Sequence, residues 1–227
     1  MPKVVDPVQR RKTVADAAFR VVARDGVEKA SLRRVAEEAG LVVGSVRHYF
    51  ASHAELLSFT LTELNDRVTE RVQRHLAALF PGGEVESRAL PDDHIPGSYA
   101  EQILVELLPL DQSRFEEAAV WLAFTTAARA RPELSPLAAA PLAGVRSLVH
   151  RVLSAMAAAG VLHTDDLEIE TDRLAAVLDG LSLAAVVDPD RRNPETMRAV
   201  LHLHLASLTK STLRPGRGAG ALNRDNV

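Results

Sequence analysis

Residues 31–50 read SLRRVAEEAGLVVGSVRHYF, and the fold of the N-terminal part of the chain is decided there. Leu32, Val35, Ala36 and Ala39 repeat at i, i+3, i+4 and i+7, with Ser31 in the N-cap position and Gly40 as the stop, so the spacing predicts a short helix. A few residues on, Val42, Val46, Tyr49 and Phe50 fall on one side of a second short helix and leave Val43, Gly44, Arg47 and His48 on the other. Two such helices joined by a tight, glycine-containing turn have the layout of a helix-turn-helix.

A helix of this kind enters a major groove with its N-terminal residues near the base edges, so small residues there let the backbone come close. Gly44 and Ser45 meet that demand. Arg47 either forks onto guanine O6 and N7 or holds a phosphate, and the residues leave both open. His48, Tyr49 and Ser45 offer imidazole or hydroxyl groups to phosphates or bases, while Ser31 and Arg33 stand where the first helix of the pair would meet the DNA backbone.

Helical periodicity continues on both sides, and alternating β-branched runs between turn pairs are absent, so the chain reads as all-α with about nine helices. Asp6-Pro7 opens a first helix whose stripe is Val14, Ala15, Ala18, Phe19 and Val22 and which ends near Gly26. Ser52 to Glu55 forms a capping box for a long fourth helix reaching Leu79. Pro- and Gly-rich residues 81–97 read as a loop, and a second capping box at Ser98 to Glu101 starts a helix to Leu108. Further helices are expected from about Asp111 to Arg129, Glu133 to Ala159 with Pro136 and Pro141 as possible kinks, Leu167 to Val187, and Pro194 to Leu213 capped by Asn193. Residues 1–53 thus form a three-helix helix-turn-helix domain, 54–213 a larger helical domain, and 214–227 a Gly-rich tail without apolar periodicity, expected to be disordered.

Composition fits this division. A chain of 227 residues, 47% hydrophobic, can bury a large core, and with no cysteine it has neither disulfides nor thiolate metal sites. Residues 1–53 hold ten basic against six acidic side chains, a net +4, which leaves −7 for the remainder of a chain whose net charge is −3. A basic head on an acidic body suits a polyanion-binding module, since phosphate contacts need cations only where the nucleic acid lies. No apolar stretch approaches membrane-spanning length and the N-terminal residues lack a signal-type apolar run, so a cytoplasmic protein with no membrane partner is expected.

The run from the first helix through SLRRVAEEAGLVVGSVRHYFASHAELL, with its A-x-x-A-G turn and its aromatic-rich end before a Phe, resembles the DNA-binding domain of TetR-type regulators. The segments WLAFTTAARARPEL (121–134) and LAAVLDGLSLAAVVDPD (174–190) resemble the ligand-binding and dimerisation region of the choline-responsive repressors in that family. The resemblance implies a homodimer on a palindromic double-stranded operator, repressing until a small-molecule effector, not identified by the residues, releases it. This chain has Val42 where the family often has a capping Ser or Thr, Arg47 where it often has Tyr, and His53 where it often has a phosphate-binding Lys. The operator sequence does not carry across. The last two long helices are implied to pair with their copies, with Leu174, Val177, Leu178, Leu181 and Ala185 on one and Leu201, Leu205 and Leu208 on the other as the apolar stripes available.

For an effector pocket the candidates are Phe59, Phe115, Trp121, Phe124 and Thr125, with Gln102 and Glu106 as polar anchors. An enzyme is disfavoured: His202 and His204, two apart on a helix, point to different sides, and no H-E-x-x-H or phosphate-binding Gly-rich loop occurs. Neither metal nor cofactor is expected. A helical adaptor that binds no DNA is the remaining alternative, and the role of Arg47 separates the two.

Overall fold

The computed structural model describes residues 7–79 and 96–209 apart from 163, 165 and 192. The expected loop at 81–97, except its last two residues, and the expected tail from 214 lie outside the described residues. Within them the protein is helical, with no strand. The helices are α1 (Pro7–Asp25), α2 (Leu32–Glu38), α3 (Val43–Tyr49), α4 (His53–Leu79), α5 (Pro96–Leu104), α6 (Gln112–Ala128), α7 (Ser135–Ala158), α8 (Leu167–Val187) and α9 (Pro194–Thr209), with 3-10 turns at Val27–Lys29, Val105–Leu107 and Pro132–Leu134.

Local chemistry sets these boundaries. Ser31 Oγ accepts from Arg34 N–H, Asn193 Oδ1 from Thr196 N–H, and Asp166 Oδ1 from the N–H groups of Glu168 and Ile169, each filling an orphan donor of a first turn. At α4 the box is reciprocal: Glu55 N–H donates to Ser52 Oγ at 3.0 Å, and the Glu55 carboxylate accepts from Ala51 N–H at 2.8 Å. Gly40 ends α2 at φ 66, with its N–H on Glu37 O and Leu41 N–H on Ala36 O, the paired bonds of a Schellman turn that favours glycine. α5 begins at Pro96, two residues ahead of the Ser98 box. Pro136 falls in the first turn of α7, and Pro141 sits inside that helix without ending it.

Two apolar cores result. One joins α1, α2 and α3 to the first half of α4, but also takes Val120 and Phe124 from α6 and Leu134 from the turn after it. The other joins α5, α7, α8 and α9 around Leu104, Leu153, Leu174 and Leu201, and reaches α4 at Val72. The cores therefore do not part at residue 53: α4 runs through both, and α6 packs along α1 while also contacting α7 and α8.

Candidate nucleic-acid interface and cavity

The helix-turn-helix presents an open face. Ser31, Arg33, Gly44, Arg47 and His48 are exposed, and Arg47 has no ion-pair or hydrogen-bond partner among the described residues. Arg33 pairs with Glu37 at 3.2 Å at an exposed i,i+4 spacing, a contact weak enough to be exchanged for a phosphate. Ser45 is half-buried, Tyr49 packs against the N-terminal core with its ring edge-on to His48 at 5.1 Å, and His53 Nε2 is buried without a hydrogen-bond partner among the described residues.

The two valines at the turn exchange places relative to the helical wheel. Val42 is 73% exposed, whereas Val43 packs partly against the core. The reason is local: Val42 is the N-cap, with extended backbone at φ −77 and ψ 144, so helical periodicity does not govern where it points.

Behind this face, arginines clasp α1 to α4 and to α2, and the segment after α6 to the turn after α1. The Arg11 guanidinium lies 4.9 Å from the ring centres of both Phe50 and Phe59 and pairs with Glu55 at 3.1 Å. Arg67 of α4 pairs with Asp16 of α1 and lies 4.8 Å from the Phe19 ring centre, and Arg131 pairs with Glu28. Beneath the face, Arg20 and Arg24 grip Glu38, holding its carboxyl below the usual carboxylate range chiefly through the Arg20 hydrogen bond.

A cavity of about 460 Å³ lies where the two cores meet, between α4, α6, α7 and α8. Its walls are largely apolar, from Leu64, Val68, Leu76, Leu107, Val145 and Leu148, with Asn65, Thr69 and Gln73 as polar groups along α4. Of the aromatic and polar side chains expected there, Trp121 lines the cavity. Glu106 stands just behind it, paired with Arg71 at 3.5 Å and Arg114 at 3.4 Å, both of which are lining residues. Phe124 is fully buried in the N-terminal core, Phe59 packs edge-on to Phe50 at 5.4 Å, and Gln102 is exposed. Phe115 is half-buried away from the lining, and Thr125 spends its hydroxyl on Trp121 O at 2.9 Å.

Two features of the cavity were missed in the sequence. Arg71 is held by Glu117 at 2.7 Å, a nearly buried pair tying α4 to α6 on the cavity wall. Asp179 of α8 lines the cavity half-buried with no ion pair or hydrogen bond among the described residues, and burial alone pushes its carboxyl above the ordinary value. The signal for Asp179 was present, since it is the single charged residue in the apolar run 174–187.

The α8 and α9 stripes named for a subunit contact face inward. Leu174, Leu178, Leu181, Ala185, Leu201, Leu205 and Leu208 are buried in the chain's own core, and Val177 packs partly against it. The large apolar side chains exposed on these helices are Ile169, Leu183, Val187 and Leu203.

Comparison with known proteins agrees with both halves of this architecture. Residues 14–58 match the model for bacterial regulatory proteins of the tetR family, and residues 96–210 match the BetI-type transcriptional repressor C-terminal region. The chain is 34% identical over 209 residues to the HTH-type transcriptional regulator PksA of Bacillus subtilis (strain 168), covering 92% of this chain and 94% of that protein. A transcriptional regulator from Rhodococcus sp. Rha1 superposes with a TM-score of 0.70 at 28% identity, covering 87% of this chain and 95% of that one. A regulator from Saccharomonospora viridis, solved in complex with choline, shares the fold with a TM-score of 0.69 at 21% identity, covering 88% and 96%. No helix among the described residues is long and apolar enough to cross a membrane. Regulators of this kind bind operator DNA, act as dimers and respond to small molecules. The chain belongs to the TetR family, as a DNA-binding, ligand-responsive transcriptional regulator with a BetI-type C-terminal region.

Proposed function

We propose that this regulator represses in the cytoplasm from a two-fold operator and is released by an organic cation with an apolar body, bound in the cavity between α4, α6, α7 and α8. The observation that carries the reading is Asp179: a carboxylate unpaired among the described residues, set in largely apolar walls on the same cavity as Trp121. A half-buried charge without a partner is destabilising until a counter-charge arrives, and an indole face adds cation-π attraction. Of the three arginines on the cavity, Arg71 and Arg114 are already held by Glu117, Glu106 and Asp111, and Arg151 is exposed and makes no ion pair with Asp179 among the described residues.

DNA is gripped by Arg47, His48 and Gly44 on the open face of α3, with Ser31, Arg33, Ser45 and Tyr49 at its edges. Val43 and His53 support the helix from behind. The second copy docks on the exposed faces of α8 and α9. Ile169, Ala176, Gly180, Leu183 and Val187 follow one another at heptad-like spacing on α8, as do Thr196, Ala199, Leu203 and Ala206 on α9. Such a dimer sets its two α3 helices about 34–36 Å apart on successive major grooves. A ligand that favours another separation weakens binding by its differential affinity for the two states.

Trp121 is the chain's one tryptophan, so its emission reports occupancy of the cavity directly. The test titrates tetraphenylphosphonium and tetraphenylborate, alike in size and shape and opposite in charge, against that emission and against binding to DNA flanking the protein's own coding region. The cation is expected to bind about tenfold or more tightly than the anion and to release the DNA, with Asp179→Asn removing the preference. Equal binding of both ions would refute the cationic reading, and an unperturbed Trp121 would refute the cavity as the site. For the interface, Leu203→Glu is expected to give monomers in sedimentation and to lose operator affinity.

A further inference from the structure

Six large apolar side chains are exposed among the described residues. Ile169, Leu183, Val187 and Leu203 lie on the α8 and α9 faces, and Leu142 lines the cavity. Val42, the most exposed of the six at 73%, belongs to neither surface. It stands directly before α3, in the same segment as the exposed Gly44, Arg47 and His48.

Val42 also departs from what its position asks for. Its carbonyl accepts from Ser45 N–H at 2.9 Å, which makes it the N-cap of α3, yet its side chain has no oxygen to satisfy a first-turn N–H. Serine or aspartate does so before α2, α4, α6 and α8, and asparagine before α9. Valine ranks among the poorest N-caps, so α3 forgoes a stabilising bond and leaves an isopropyl group in water.

DNA offers a protein phosphate oxygens, hydrogen-bonding base edges and the thymine methyl group. Valine has no donor for the first and neither donor nor acceptor on its side chain for the second. We infer that Val42 is a specificity-determining residue that packs its isopropyl group against the C5-methyl of a thymine in the major groove. The neighbouring groups fit: Gly44 removes bulk that would hold the backbone away, and Arg47 is left to make the polar contacts. The contact is made by the side chain and asks nothing of the helix terminus as an anion site.

The experiment uses the full chain and an operator that it selects from random DNA duplexes. Each thymine of the half-site is then replaced by deoxyuridine, which removes only the C5-methyl, symmetrically in both halves. The wild type is expected to lose about fourfold in affinity per half-site at one such position, the value of one buried methyl-sized group. Val42→Ser is expected to treat thymine and deoxyuridine there alike within about twofold, and Val42→Ile to keep the wild-type ratio. Because Val42→Ser supplies the missing cap, its melting temperature is expected to rise by about 2–4 °C, which separates a lost contact from a damaged fold. An unchanged thymine-to-deoxyuridine ratio at every position in Val42→Ser, or a selected half-site without thymine, overturns the inference.

Discussion

The two apolar cores are built from different side chains. The N-terminal core is made largely of small and β-branched residues such as Val14, Ala17, Ala18, Val21, Val35, Ala36 and Val46, keyed by Phe19, Phe50 and Phe124. The C-terminal core is leucine-rich, with Leu104, Leu108, Leu153, Leu174, Leu178, Leu201 and Leu205 buried almost completely. Small side chains let short helices approach closely, while the arginine clasps at Arg11 and Arg67 tie α1 to α4 and the one at Arg131 ties the segment after α6 to the turn after α1. The cavity lies at the seam and takes its walls from helices that serve both cores. A well-filled reading head set on a body with a cavity beneath it is a division of labour: the head holds α3 rigid, and the body has room to change.

The largest test of that contrast is Phe124→Ala. Phe124 belongs to α6 but is fully buried in the N-terminal core, so its loss is expected to destabilise the protein by about 4 kcal/mol in denaturant unfolding, in a single transition. Two separated transitions would mean that the cores unfold independently and that α6 does not join them. Glu117→Ala ranks next, at about 2 kcal/mol, because it leaves the Arg71 guanidinium with only the longer Glu106 contact at 3.5 Å and unties α4 from α6 at the cavity wall. Arg47→Ala is expected to leave stability unchanged and to weaken operator binding by about 2 kcal/mol, as a free side chain on a rigid face should. Unaltered affinity in that variant would take Arg47 off the reading face.

Much of this architecture was legible in the sequence because it is local. Ser31, Ser52 and Asn193 cap helices in the positions their spacing predicts, and Gly40 ends α2 with the left-handed φ that its place implies. What failed to show were relations between helices. The stripe Leu174, Leu178, Leu181 and Ala185 is a true helical face, but α8 also carries Ile169, Leu183 and Val187 on another, and periodicity does not say which apolar face a chain keeps for its own core. Phe59 and Phe124 read as pocket aromatics for the same reason, since composition cannot assign a ring to one of two adjacent cores. Val42 went astray because an N-cap stands outside the helical wheel on which it was placed. The Arg71 to Glu117 pair spans 46 residues and has no local signature.

The smallest expected effect lies at the seam and sharpens the contrast most. Burial pushes the Asp179 carboxyl above its ordinary value, and no partner charge opposes the shift. The unfolded chain carries the same carboxyl at its usual value of about 4, so at neutral pH the folded state alone bears the charge half-buried. Asp179→Asn is therefore expected to melt slightly higher than the wild type at neutral pH. As pH falls through the raised folded value the wild type takes up a proton, the penalty fades, and below the unfolded value the two proteins should melt together. Tetraphenylphosphonium should reverse the order at neutral pH, raising the melting temperature of the wild type more than that of the variant. An asparagine variant less stable than the wild type at neutral pH would mean that Asp179 already has a partner in the folded protein. The cavity would then be as fully satisfied as the head above it, and the contrast between rigid reader and unfinished sensor would fail at its decisive residue.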